Sequence, residues 1–313
     1  MTPLSRRIAI YSLAALALGG VTLLRARSRG EAPLPPLPDL ALPGGALSVY
    51  HLGHSLVGHD MPAMLAQLVG EDHEFASQLG WGATLKQHWD PDEPVAGFAE
   101  MNGHAEFRPA HEAVAAGTYD AIVFTEMVEI ADALKYHDGA AHLKLWSQAA
   151  LDARHDVRLY LYETWHPTDD PAGWLARIDE DLARYWLGAL ARPAREAGLP
   201  LYLVPGGQVM GAFVRRLEAE GGYPGLADRH ALFAIAPDGS RDTIHLGDAG
   251  NYLMALTHHA TLYHRNPLGL PHDIIRADGT AMVPLSAAAA RAMQEVVGEV
   301  VLRLPETGVT SWA

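Results

Sequence analysis

A chain of 313 residues, 49% of them apolar, can bury a sizeable core in one large domain. It has no cysteine, which excludes disulfides, thiolate zinc sites and cysteine nucleophiles. Lys and Arg number 23 against 37 Asp and Glu, for a formal net charge of −14, and a surface of that sign repels phosphate backbones. The expected partner is therefore a neutral or cationic small molecule and not a nucleic acid.

The chain begins with Ser5-Arg6-Arg7, an apolar run from Ile8 to Leu24, and then Arg25, Arg27 and Arg29. A Pro-rich stretch follows, within residues 31–45, and sets this segment apart from anything globular. Residues 1–30 read either as a signal peptide, of twin-arginine type given Ser5-Arg6-Arg7, or as an uncleaved membrane anchor over residues 8–24. No small-x-small cleavage pattern follows Leu24, which favours the anchor. Basic residues flank both sides, so orientation is not set by the positive-inside rule. The expected location is beyond a bacterial inner membrane, either free in the periplasm or tethered to the membrane.

From Ala46 to the end, strand-length apolar runs alternate with helical patterns, the signature of βαβ units. The spacing predicts strands over Leu47–Leu52, Glu74–Leu79, Tyr119–Thr125, Arg158–Thr164 and Leu201–Val204. It predicts helices over Met61–Val69, just before Gly117, and over Ala140–Ala153, Trp174–Ala197, Ala249–His264 and Ser286–Leu304. Gln87–Pro109 reads as irregular and Met210–Ala236 as mixed. The expected fold class is α/β, a three-layer α/β/α sandwich around a five-stranded parallel sheet with right-handed crossovers. The loops after the strands then gather Ser55, Gly82, Glu126 and Trp165 at one edge.

That edge is where open α/β sheets place ligands, so Ser55, on the turn after the first strand, is a candidate nucleophile. Taken alone it reads first as a helix cap or turn former. A serine needs a base to remove its proton, and the base needs a carboxylate to hold it. Asp242 and His245, three positions apart, can lie side by side on one helical turn or tight loop, although in a chain with 17 histidines the pattern alone reads first as a polar turn with a chance His. The order is Ser, Asp, His, and no Gly-x-Ser-x-Gly surrounds Ser55, which disfavours the ordinary α/β-hydrolase fold. Trp165 and His166, past the fourth strand, suit stacking on and hydrogen bonding to a sugar ring, or else an aromatic plug over the sheet end; Trp81 has the same two readings. His51 and His54 differ in strand parity, so with His59 they are not expected to form a metal site, and no cofactor is implied.

Two stretches carry a resemblance. Gly53-His54-Ser55-Leu56 and Asp242-Thr243-Ile244-His245 resemble the first and last blocks of the GDSL/SGNH hydrolases, and the resemblance spans Ala46 to about His264. It implies a flavodoxin-like sandwich with Ser55 as nucleophile, His245 as general base and Asp242 as its orienting carboxylate. Gly80-Trp81-Gly82-Ala83-Thr84 resembles the second block and implies that the Gly82 N–H binds an oxyanion. The third block aligns with Phe124-Thr125-Glu126-Met127, which puts Glu126 where the family has an oxyanion-binding Asn. His54 stands where Asp is usual and joins Trp81, Trp165 and His166 as an expected substrate contact. The implied reaction is hydrolysis of a short-chain acyl ester, first of all an acetylated carbohydrate, with a lipid or lysophospholipid ester as the alternative. The departures at Glu126 and His54 leave a second class open, a saccharide-binding or O-acyltransferase component that does not hydrolyse.

Overall fold

The structure, a computed structural model, describes residues 33–70, 72–236 and 238–313. The expected leader at residues 1–30 lies outside them. Among the described residues no helix is long and apolar enough to cross a membrane. The compact unit runs from Pro35 to Ala313, so most of the Pro-rich stretch belongs to it. Pro38 and Ala41 give their carbonyls to the Tyr202 hydroxyl and the Arg158 guanidinium, and Leu37 and Leu40 pack on the core.

Five parallel strands form the central sheet: β1 (Ser48–His54), β2 (Glu74–Gly80), β3 (Ala121–Phe124), β4 (Arg158–Glu163) and β5 (Leu201–Pro205). Their order is β2-β1-β3-β4-β5, so the chain reverses its direction of travel across the sheet between β1 and β3. A reversal of that kind opens a crevice at the carboxyl ends of the two strands. Helices cover both faces, which is why the inner strands are buried along nearly their whole length and read as continuous apolar runs. The α/β three-layer sandwich expected from the sequence is the observed fold.

Helix α1 (Asp60–Val69) follows β1, and α2 (Leu85–Trp89), α3 (Phe98–Met101) and α4 (Ala110–Ala116) follow β2. The stretch expected to be irregular thus carries two short helices, α2 with a full capping box at Thr84 and Gln87. After β3 come α5 (Ile130–Tyr136) and α6 (Gly139–Ala153). Helix α7 runs over 174–196, with a π-helical stretch over Leu182–Ala191 that ends beside Pro193.

Helix α8 (Gly206–Ala219) is a correction: the stretch from Met210 was expected to be mixed, yet its first turns continue a helix that opens at Gly206-Gly207. The buried Glu163 carboxyl compensates for that poor start by accepting from the Gln208 N–H and side-chain amide. Two further strands, β6 (Phe233–Ile235) and β7 (Arg241–Leu246), form an antiparallel pair that the sequence reading missed. Helix α9 (Asp248–Tyr263) is buried on almost every side, packed between α1 and α10 (Ala287–Arg303).

Candidate active site

β1 ends against its neighbours with a defined stagger. Leu52 pairs with Phe124, the last residue of β3, while His54 pairs with Gly80, the last of β2. Ser55, Trp81 and Thr125 therefore leave three adjacent strands at one edge. Gly53 is required there, because a Cβ on it would lie 2.5 Å from Cβ of Thr125. The turn after β1 closes with the Val57 N–H on the His54 carbonyl. The Leu56 N–H reaches Nδ1 of His54, an imidazole version of the local bond that Asx side chains make in turns. Because Nδ1 accepts, the proton is on Nε2, which donates to the Glu126 carbonyl at 2.8 Å.

Asp242 and His245 lie on β7. In a regular strand, residues three apart face opposite sides. Here the ladder pairs Phe233 with Leu246 and Ile235 with Arg241, so one strand advances two residues while the other advances five. The excess bulges out and forms a turn. Oδ1 of Asp242 accepts the N–H groups of Ile244 and His245, both at 2.8 Å. Oδ2 accepts from Nδ1 of His245 at 2.9 Å, which leaves Nε2 as a lone pair. That nitrogen lies 3.0 Å from Oγ of Ser55, across 190 positions of sequence. Partial burial pushes the Asp242 carboxyl up, but the two N–H groups and the imidazole outweigh it and hold the carboxyl below the usual range. The His245 side chain is 47% exposed, so the assembly opens to solvent.

The other expected site residues divide. Gly82 has φ +58°, in the left-handed region, and is exposed. Neither its N–H nor that of Ser55 has a partner among the described residues, so both are free to donate. Trp81 is 55% exposed and lies against the backbone of Gly97, available to a ligand.

Glu126 and His54 are corrections in place. Glu126 is fully buried: Oε1 accepts from the Leu85 N–H, at the start of α2, and from its neighbour Met127 N–H. Burial pushes its carboxyl up to about 7 against the pull of those donors. It caps α2 from inside and offers no exposed donor. His54 is fully buried too, and burial pushes it down to about 4, so it is a neutral structural imidazole and not a substrate contact.

Trp165 and His166 are also buried away from solvent. Nε1 of Trp165 donates to the Ile244 carbonyl at 3.0 Å, and the Thr168 N–H donates to the Thr243 carbonyl at 2.9 Å. The loop after β4 therefore holds the Asp242–His245 turn from behind, where a substrate contact had been expected. His88 escaped the sequence reading. It sits on α2, accepts from the Gln78 amide, and its Nε2 donates to the Gly53 carbonyl at 2.7 Å, buttressing the turn that carries Ser55. A cavity of about 440 Å³ is lined by Gly58, His59 and Asp60, just past Ser55, together with His104 and Glu106; no side chain of the Ser-His-Asp set lines it.

His51, His54 and His59 do not converge as a ligand set. Among the described residues, the ligand atoms of Glu129, His166 and Asp170 are the ones that lie within 4.8 Å of one another.

No protein-family model matches this chain, and no curated protein does. Among solved structures it is similar to a provisionally named GDSL-like lipase from Parabacteroides merdae ATCC 43184, at 14% identity and a TM-score of 0.39. The match covers 70% of this chain and 96% of that one. A likeness that distant carries no argument about activity, which rests on the site itself.

Proposed function

We propose that this chain is a serine ester hydrolase of the SGNH type, working on short acyl esters through an acyl-enzyme. The reading rests on one observation: Oγ of Ser55 and Nε2 of His245 lie 3.0 Å apart, with Asp242 2.9 Å behind the imidazole. Oγ attacks the ester carbonyl carbon as its proton passes to Nε2 of His245. The free N–H groups of Ser55 and Gly82 are the donors for the oxyanion, each such donor contributing about 3 kcal/mol. The intermediate collapses as His245 returns the proton to the leaving alkoxide. Water then attacks the acyl-enzyme by the same steps and regenerates Ser55. Asp242 stays ionised throughout, holding the imidazole in one tautomer.

The half-exposed His245 and the exposed Trp81 favour a small acyl group on a bulky polar alcohol. An acetylated carbohydrate beyond the inner membrane fits that description, the enzyme being exported or tethered through residues 8–24. One observation favours a second reading: Glu126 is buried where the resemblance calls for a third oxyanion donor, which suits a non-hydrolytic saccharide binder or an O-acyltransferase component. Hydrolysis of p-nitrophenyl acetate by the purified protein, beside Ser55→Ala, separates the two. Turnover that falls at least a thousandfold in Ser55→Ala supports the hydrolase. Saccharide binding without turnover supports the second reading.

A further inference from the structure

We propose that Glu129, His166 and Asp170 form a binding site for a divalent cation of the zinc class, separate from the Ser55–His245–Asp242 set. His166 lies on the loop after β4 with its side chain 3% exposed. Nε2 donates to Oδ2 of Asp181 at 2.9 Å, so Nδ1 carries a bare lone pair. That buried atom has no hydrogen-bond partner, and 3.9 Å away it faces Oε2 of Glu129. A lone pair aimed at a carboxylate oxygen is repulsive unless something positive lies between them. One ring nitrogen donating to a carboxylate while the other stays bare is the arrangement of a metal-ligating imidazole.

The charge balance leaves room for a cation. Glu129, Asp170 and Asp181 bring three carboxylates, and Arg177 brings the one guanidinium that pairs with all of them. With a neutral imidazole the group keeps two negative charges. Arg177 donates to Oε1 and Oε2 of Glu129, to Oδ2 of Asp170 and to Oδ2 of Asp181, at 2.7 to 2.9 Å. Oδ2 of Asp181 also accepts from His166 and Oε1 of Glu129 from the Ala131 N–H, but Oε2 of Glu129 and Oδ2 of Asp170 accept from Arg177 alone, so each of those two keeps a lone pair for a cation. One imidazole and two carboxylates suit zinc at about 2.0–2.2 Å, with water in the fourth position. Magnesium and calcium prefer all-oxygen sets. A bound ion would tie the segment after β3 to the loop that carries Trp165 and Thr168, and so stiffen the support beneath the Asp242–His245 turn.

The test reads binding itself, so its outcome does not depend on whether the chain is an esterase. Chelator-stripped full-length protein is titrated with ZnCl2 by calorimetry and then melted with and without the ion, MgCl2 serving as control. The expected result is one zinc per chain and a Tm raised by about 5 °C at a hundredfold excess over Kd. Binding weakens at least tenfold in Asp170→Asn and in Glu129→Gln, while MgCl2 leaves Tm unchanged. Asp170→Asn keeps Oδ1, which accepts from the Ala172 N–H, so it tests the site where His166→Ala risks the fold. No zinc uptake, uptake unchanged in both variants, or an equal response to magnesium overturns the proposal.

Discussion

The Asp242 carboxylate has two tasks that can be separated. It shapes the turn through the N–H groups of Ile244 and His245, and it fixes the tautomer of His245. Asp242→Asn keeps an oxygen for the turn but can offer its amide to Nδ1, which would push the proton onto Nε2. The expected outcome is a stable fold with kcat for p-nitrophenyl acetate lowered about ten-thousandfold; wild-type kcat would show that the carboxylate is not needed. Glu126 gives a prediction of the opposite kind. Its folded pKa of about 7 lies above the ordinary 4.5, so its contribution to stability is full below pH 4.5 and is lost as pH rises through 7. Above pH 7 the fold carries an ionised buried carboxyl at a cost of about 3 kcal/mol. Glu126→Gln escapes that cost and still accepts both N–H groups. It should melt several degrees above wild type at pH 8 and close to it at pH 5, with esterase turnover within a few-fold. A thousandfold loss of turnover would place the acid in the chemistry.

The loop after β4 and the bulged β7 work as one unit. Trp165 hangs the Ile244 carbonyl from the sheet, and Thr168 does the same for the carbonyl of Thr243. Trp165→Phe keeps the packing against Tyr162 and removes that one bond. A lost hydrogen bond of about 1 kcal/mol, expressed in the position of His245, predicts a fall of about five- to tenfold in kcat with little change in KM. A change confined to KM would return Trp165 to the role of substrate contact. The five sheet strands were legible because burial on both faces writes itself as apolar runs, whereas Asp242 with His245 was singled out by the resemblance of its stretch, since the spacing alone reads as a polar turn. The β6–β7 pair was hidden by its bulge, which breaks the period-two pattern over Asp242–His245. The start of α8 was hidden because Gly206-Gly207 is a poor opening that only the distant Glu163 makes workable. The inward turn of Trp165 and His166 depends on the path of a loop, and no periodicity encodes that.

Among the described residues, buried histidines outnumber buried acids, and this sets the response to pH. Burial pushes His54, His88 and His258 down to about 4, below the ordinary 6.5. Their stabilising contribution is full above pH 6.5 and is lost as pH falls toward 4, about 2 kcal/mol for each at pH 5. Glu126 and Glu163, the latter pushed up to about 8 by burial, work the other way. With more histidines than acids in play, Tm should peak near neutral pH and fall by several degrees between pH 7 and pH 5; a melting profile flat over that range would contradict the assignment of neutral buried imidazoles. The whole account turns on Ser55 gaining a base from a segment 190 positions away. The most direct measurement is covalent labelling of the intact protein with a fluorophosphonate ester, read by peptide mass spectrometry. The account predicts one adduct per chain, on Ser55, formed at least a hundredfold more slowly in His245→Ala. An unlabelled Ser55, or labelling indifferent to the loss of His245, would contradict it.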